Sequence, residues 1–167
     1  MDARHDYRVG LEWTGDRGEG TATYRSYGRD HVLRAAGKLH DIAGSSDKTF
    51  RGDVERWNPE ELVISALAQC HMLSYLHVAA SNGLVVVGYS DDASGTLQQE
   101  GEGGRLIEAM LRPVVTLADH HDDADLDRAQ SLHGRASELC FIANSVAFPV
   151  HHEPRARRAS APSLTGL

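Results

Sequence analysis

The sequence predicts an α+β fold in which antiparallel strands pack around one long buried helix, and three observations carry that reading. Residues 59–82 read as a single helix with apolar side chains on every face, a pattern that asks for cover on every face. The segments before and after it alternate apolar and polar residues as short strands do, and they are grouped instead of interleaved with helices. With 167 residues, 41% of them hydrophobic and 25% charged, the chain has the size and composition of one globular domain that needs no disulfide for stability.

Residues 7–13 alternate, Thr14-Gly15-Asp16-Arg17-Gly18-Glu19-Gly20 supplies turn residues, and residues 21–27 alternate again, so an N-terminal hairpin is expected. A further short strand is expected over residues 31–35. Asn58 is a good N-cap, Pro59 suits the first helical turn, Glu60 and Glu61 favour the positive end of the helix dipole, and Asn82-Gly83 ends the helix. Val63, Ala66, Leu67, Cys70 and Leu73 lie on one face, Ile64, Ala68, Tyr75 and Val78 on another, and Leu62, Met72 and Leu76 on the third. Residues 85–92 and 107–117 have strand character, with Gly101-Glu102-Gly103-Gly104 between them as a hairpin turn. After an acidic loop, Leu126, Ala129, Leu132 and Ala136 recur at helical spacing on a second helix that stops near Cys140, followed by a short helical turn. Arg155-Ala156-Arg157-Arg158 and the Ser/Pro/Gly-containing end read as a loose tail, which places the domain at residues 1–150 and the tail at 151–167.

The net charge of −7 argues against a nucleic-acid surface. The first residues lack the apolar core of a signal peptide, and no uninterrupted apolar run approaches the ~20 residues of a membrane span, so a cytoplasmic protein without membrane attachment is expected. In that reducing compartment the two cysteines rest as thiols, and a disulfide between them would be transient and catalytic instead of structural.

The chemistry sits in the words around those cysteines. Asn58-Pro59-Glu60-Glu61-Leu62 with Cys70 ten residues after Glu60, and Leu139-Cys140-Phe141-Ile142-Ala143-Asn144-Ser145 late in the chain, together resemble the OsmC/Ohr family of thiol-dependent organic hydroperoxide reductases. The resemblance covers roughly residues 7–150, loosely in the N-terminal third. It implies an intertwined homodimer in which two cysteine-bearing helices pack against strands of both subunits. It also implies peroxidatic Cys70, resolving Cys140 and an arginine–glutamate pair. The substrate implied is an organic hydroperoxide, and the reductant a small dithiol or lipoyl-type group.

Each implied role has a physical reason. Peroxide cleavage needs a thiolate, a small fraction of a free cysteine near pKa ~8.5 at neutral pH, and apolar burial makes it smaller. Cys70 lies mid-helix, where the dipole field has faded, so an arginine is needed, and Glu60 would hold that guanidinium in a fixed fork geometry. Three arginines qualify: Arg51 in Phe50-Arg51-Gly52-Asp53, Arg17 in the early turn, and Arg56. Arg51 is preferred, because an arginine in an apolar-flanked segment just ahead of the helix is less free to stay solvated than one in a Gly-rich turn. Ten residues of straight helix put Glu60 ~15 Å along the axis from Cys70, so the glutamate needs a spanning arginine or a second subunit to act there.

Leu67, Met72 and Leu73 near Cys70 favour alkyl or fatty-acid hydroperoxides over hydrogen peroxide. Of the ten histidines, His71 and His77 lie on different helix faces, and His120-His121 with Asp122-Asp123 lacks zinc-motif spacing, so neither a metal nor a cofactor is expected. His71 points ~100° away from Cys70, which disfavours a Cys-His dyad and a cysteine hydrolase. The main alternative is a non-catalytic ligand-binding or stress-associated member of the same fold whose cysteines are merely buried.

Overall fold

Turn chemistry overrides alternation in the N-terminal third. The computed structural model describes residues 3–160, and the chain divides into two units, residues 1–62 and 63–167. In the first unit, strand β1 (Gly10–Trp13) pairs antiparallel with β2 (His31–Arg34), which pairs antiparallel with β3 (Ile42–Gly44). The short strand expected near residues 31–35 is therefore present, whereas the hairpin partner expected at residues 21–27 is a series of turns.

Local hydrogen bonds account for that correction. The Asp16 carboxylate accepts the N–H groups of Gly18 and Gly20, both at 2.9 Å. The Arg29 guanidinium donates to the carbonyls of Tyr27 (2.6 Å) and Tyr24 (2.9 Å), while its carbon sits 4.2 and 4.3 Å from their ring centroids. Backbone groups that a ladder would need are already occupied by side chains.

The long helix α1 (Pro59–Ser81) forms as its caps dictate. Asn58 Oδ1 accepts the Glu61 N–H at 2.8 Å and Glu61 Oε2 accepts the Asn58 N–H at 3.0 Å, a reciprocal capping box. Beyond the last turn Gly83 takes φ 74°, a left-handed conformation that ends the helix. Its buried residues are Leu67, His71, Tyr75, Val78 and Ala79, which form one stripe, while Leu73 is 60% exposed. Burial on all sides, expected from the sequence, is thus not achieved within one chain. By length and composition α1 could span a membrane, yet its stripe carries His71 and Tyr75 into the protein core, as a core helix does.

The second unit continues with β4 (Val86–Asp91), β5 (Ser94–Glu100), β6 (Gly103–Leu111), β7 (Pro113–Leu117), α2 (Asp123–Leu139), β8 (Val150–His152) and β9 (Arg155–Arg158). They build two three-stranded sheets, β4-β7-β9 and β5-β6-β8. The single long strand expected at residues 107–117 is split at Arg112, whose N–H donates to Asp91 Oδ1 at 2.7 Å, and each half serves a different sheet. The glycine turn joins β6 to β5, not to the strand at residues 85–92. β5 escaped the sequence reading because Ser-Gly-Thr-Leu-Gln-Gln-Glu is exposed throughout and shows no apolar face.

The loose tail expected from residue 151 is corrected as well. β8 pairs parallel with β6 and β9 parallel with β7, so the sheets are mixed instead of purely antiparallel. Arg155, Arg157 and Arg158 read as tail because their charges face out, while Ala156 between them packs on the core. Residues 161–167 of the expected tail lie outside the described residues.

Two packed zones result. Tyr75 and Ala79 of α1 meet Val115 and Leu117 of β7 and Ala129 and Ala136 of α2. Leu67 meets Ala109 and Leu111 of β6, with Val146, Phe148 and Val150 against them. Gly95 lets α1 approach β5 closely, since a Cβ there would fall 2.3 Å from Ile64 Cδ1.

Candidate active site

Cys70 sits midway along α1, half-buried, one residue before the buried His71. Cys140 is the C-cap of α2, where the backbone leaves the helix at φ −76°, ψ 104°. The turn that follows is built to hold this residue. Its carbonyl accepts the Asn144 N–H at 3.1 Å, and its sulfur accepts the Ala143 N–H at 3.4 Å. Asn144 Nδ2 donates back to the Glu138 carbonyl at 3.0 Å, and Ser145 Oγ to the Phe141 carbonyl at 2.7 Å.

The fold makes the two thiols neighbours across seventy residues of sequence, and both are free. Burial, and after it the adjacent Cys70 side chain, pushes the Cys140 thiol up to about 11. Cys140 therefore keeps its proton at neutral pH. Of the pair, the half-exposed Cys70 is the one a solute can reach.

The other expected site residues, Glu60, Arg51, Arg17 and Arg56, belong to the first unit. Glu61 is engaged in the capping box, which leaves Glu60 as the first-turn carboxylate free for another partner. Arg51 adopts φ 66°, the one non-glycine residue with positive φ among those described, and its guanidinium carbon lies 5.8 Å from the Tyr24 ring centroid. Arg17 lies against Gly28, 3.4 Å from where a Cβ on that glycine would stand. Arg56 is occupied by carboxylates, 3.5 Å from Asp53 and 3.7 Å from Asp30.

The sequence reading missed a cluster of buried imidazoles. His71 Nε2 and His133 Nδ1 are hydrogen-bonded at 2.9 Å, and the His152 ring lies 4.4 Å from that of His71. Tyr75 stacks on His133 at 4.1 Å and donates its hydroxyl to the Ala129 carbonyl at 3.0 Å. Burial lowers His71 to about 4 and His133 to about 3, each also held down by neighbouring histidines. A signal was available: His133 follows Ala129 by four residues and precedes Ala136 by three, on the apolar stripe of α2. Among the described residues no group of three or more His, Cys, Asp or Glu side chains is disposed to hold a metal ion.

A groove of about 570 Å³ is lined by Val63, Leu106, Ile107, Val146, Ala147, Phe148 and Pro149, with Arg105 as its charged member. Val63 is two turns ahead of Cys70 on α1, and Val146 to Phe148 follow the Cys140 turn. Of the apolar residues expected to greet a substrate, Leu67 is instead fully buried in the core.

Helix, sheets and thiol pair together define a two-cysteine α+β protein with a candidate redox site. The model of the OsmC-like protein family matches residues 52–155, and the chain belongs to that family. An OsmC-like protein of unknown function from Vibrio cholerae has the same fold, with 29% identity, a TM-score of 0.79, and coverage of 90% of this chain and 99% of that one. An organic hydroperoxide resistance protein OsmC from Legionella pneumophila is similar at 16% identity and TM-score 0.66, covering 95% and 100% of the two chains. An organic hydroperoxide resistance protein from Elizabethkingia anophelis is similar at 16% identity and TM-score 0.63, with the same coverage. No curated protein matches the sequence.

Proposed function

We propose that this protein is a cysteine-based peroxidase that reduces organic hydroperoxides to alcohols. The observation that carries the reading is the neighbouring pair of free thiols, one reachable and one buried and protonated. The Cys70 thiolate attacks the terminal peroxide oxygen, the O–O bond breaks, and the alkoxide takes a proton and leaves as alcohol. Cys70 is then a sulfenic acid. The Cys140 sulfur displaces its hydroxyl, which leaves as water with the Cys140 proton, and a Cys70–Cys140 disulfide forms. A small dithiol, such as a dihydrolipoyl group, restores both thiols by exchange and becomes a disulfide itself. The names of the Legionella and Elizabethkingia relatives are in keeping with this chemistry. The groove beside α1 suits an apolar alkyl chain.

In this reading Arg51 supplies the cation that favours the Cys70 thiolate, and Glu60 orients it. Support comes from Arg51's left-handed backbone, which costs an arginine about 1 kcal/mol and would suit glycine better, and from the involvement of Arg56 with two aspartates. Arg51→Ala is expected to slow alkylation of Cys70 at neutral pH about tenfold while leaving the fold intact. If Arg17→Ala produces that loss and Arg51→Ala does not, the assignment moves to Arg17.

In this reading the protein works in the cytoplasm as a homodimer; the uncovered apolar side of α1, with Leu73 at 60% exposure, supports a second subunit that supplies the missing cover. Sedimentation at low micromolar concentration should show a dimer; a fully active monomer would refute it. The peroxidase itself is tested by adding one equivalent of an alkyl hydroperoxide to the reduced protein and counting thiols. Loss of two thiols per chain is expected. Retention of both, with the hydroperoxide unconsumed, would leave a binding protein with buried cysteines.

A further inference from the structure

His71 and His133 make a buried bond that an apolar pair could replace without stranding polar atoms. His71 Nδ1 and His133 Nε2 are buried and find no partner among the described residues, so each ring's hydrogen bonding goes to the other. Such an arrangement costs free energy that apolar side chains of the same volume would avoid, and the best-attested return on such a cost is a fixed register between the elements it joins. The register in question is that of α1 on α2. Cys70 immediately precedes His71, and Cys140 comes two turns after His133, so the bond ties together the two helices that carry the thiols. The second tie between these helices, the Tyr75 hydroxyl on the Ala129 carbonyl, lies one turn further from the sulfurs on α1. A disulfide tolerates Cα separations only up to about 7 Å, so a slip of one helix on the other that carried the two Cα atoms beyond that reach would forbid closure.

We propose that the His71–His133 hydrogen bond is the strut that holds Cys70 beside Cys140, which makes these two histidines positioning residues for disulfide closure. The proposal rests on the disulfide step of the function above. It needs both imidazoles neutral, with one N–H between them. It assigns neither ring a proton-transfer role toward Cys70.

The thiol–disulfide equilibrium with glutathione tests it: protein dithiol plus oxidised glutathione gives protein disulfide plus two reduced glutathiones, with no peroxide present. The bond uses Nε2 of His71, the position a glutamine amide reaches, and Nδ1 of His133, the position an asparagine amide reaches. His71→Gln and His133→Asn are therefore expected to keep the equilibrium constant within about twofold of the parent. His71→Asn falls short and His133→Gln overshoots, and each is expected to disfavour the disulfide at least tenfold, or ~30 mV. The order of the two amides thus reverses between the two positions, which an effect of side-chain size or general stability would not produce.

The same order at both positions, or folded variants all within twofold of the parent, would overturn the strut. So would failure of the two bond-keeping variants to fold. Unfolding confined to the two bond-breaking variants would assign the bond to stability alone and overturn the positioning role. A parent that closes the disulfide with glutathione but does not consume hydroperoxide would defeat the peroxidase and leave the strut standing.

Discussion

Cys70→Ser is expected to abolish hydroperoxide turnover, and Cys140→Ser to stop it after one event. A serine hydroxyl at position 70 has no accessible anion near neutral pH, so the first displacement is lost and peroxide consumption should fall to the uncatalysed background. Cys140 is 1% exposed and keeps its proton, so in the proposed mechanism it acts in the second step and not in the first. Without it each chain should consume one equivalent of stoichiometric peroxide, leaving Cys70 as a sulfenic acid that a dimedone-type probe captures; under excess peroxide a second equivalent drives it to sulfinic acid. Peroxide consumption per chain in the absence and presence of a dithiol distinguishes the two variants. Repeated turnover by Cys140→Ser at the parent rate would remove the resolving role.

Stability is expected to fall as the pH drops from about 6.5 toward 4. Burial lowers His71 to about 4 and His133 to about 3 from an ordinary 6.5, so below pH 6.5 the unfolded chain binds protons that the folded chain refuses. Stability is therefore full above pH 6.5, declines through the window, and levels off below the folded values. Each ring contributes on the order of 1–2 kcal/mol of loss by pH 5. The groups around the pair act mostly in the same sense. His152, from β8, is itself lowered by burial and by His151, and Tyr75, from α1, stays neutral throughout, since burial raises it to about 12. Away from the pair, Asp91 on β4, raised by burial, acts in the opposite sense as it takes up its proton. Denaturant unfolding at pH 7 and pH 5 should differ by several kcal/mol in the parent, and by less in His133→Asn. Equal stability at the two pH values would mean that the histidine cluster is hydrated and open.

What the sequence made legible was the chemistry of ends and stripes. Asn58, Pro59 and Glu61 mark the start of α1 because a helix must satisfy its first N–H groups, and Gly83 marks its end because only a left-handed residue turns the chain there. The thiols stood out because the words around them, Asn58-Pro59-Glu60-Glu61-Leu62 ahead of Cys70 and Leu139-Cys140-Phe141-Ile142 at Cys140, resemble those of a known family. Interactions distant in sequence were not legible. Residues 21–27 alternate like a strand, but Asp16 and Arg29 take their turns out of any ladder. β5 carries no apolar face to betray it, and β9 hides a single inward alanine among three arginines. The His71–His133 bond joins residues 62 apart, and neither word around them announces the other. Local rules name elements, whereas partners are chosen by packing.

The peptide-level fate of the two cysteines after one equivalent of an alkyl hydroperoxide is the most direct measurement of the proposed chemistry. Non-reducing mass spectrometry is expected to find a single intramolecular link between Cys70 and Cys140, with one alcohol released per linked chain. A protein whose cysteines both remain alkylatable, or whose Cys70 is overoxidised while Cys140 stays a free thiol, would contradict it.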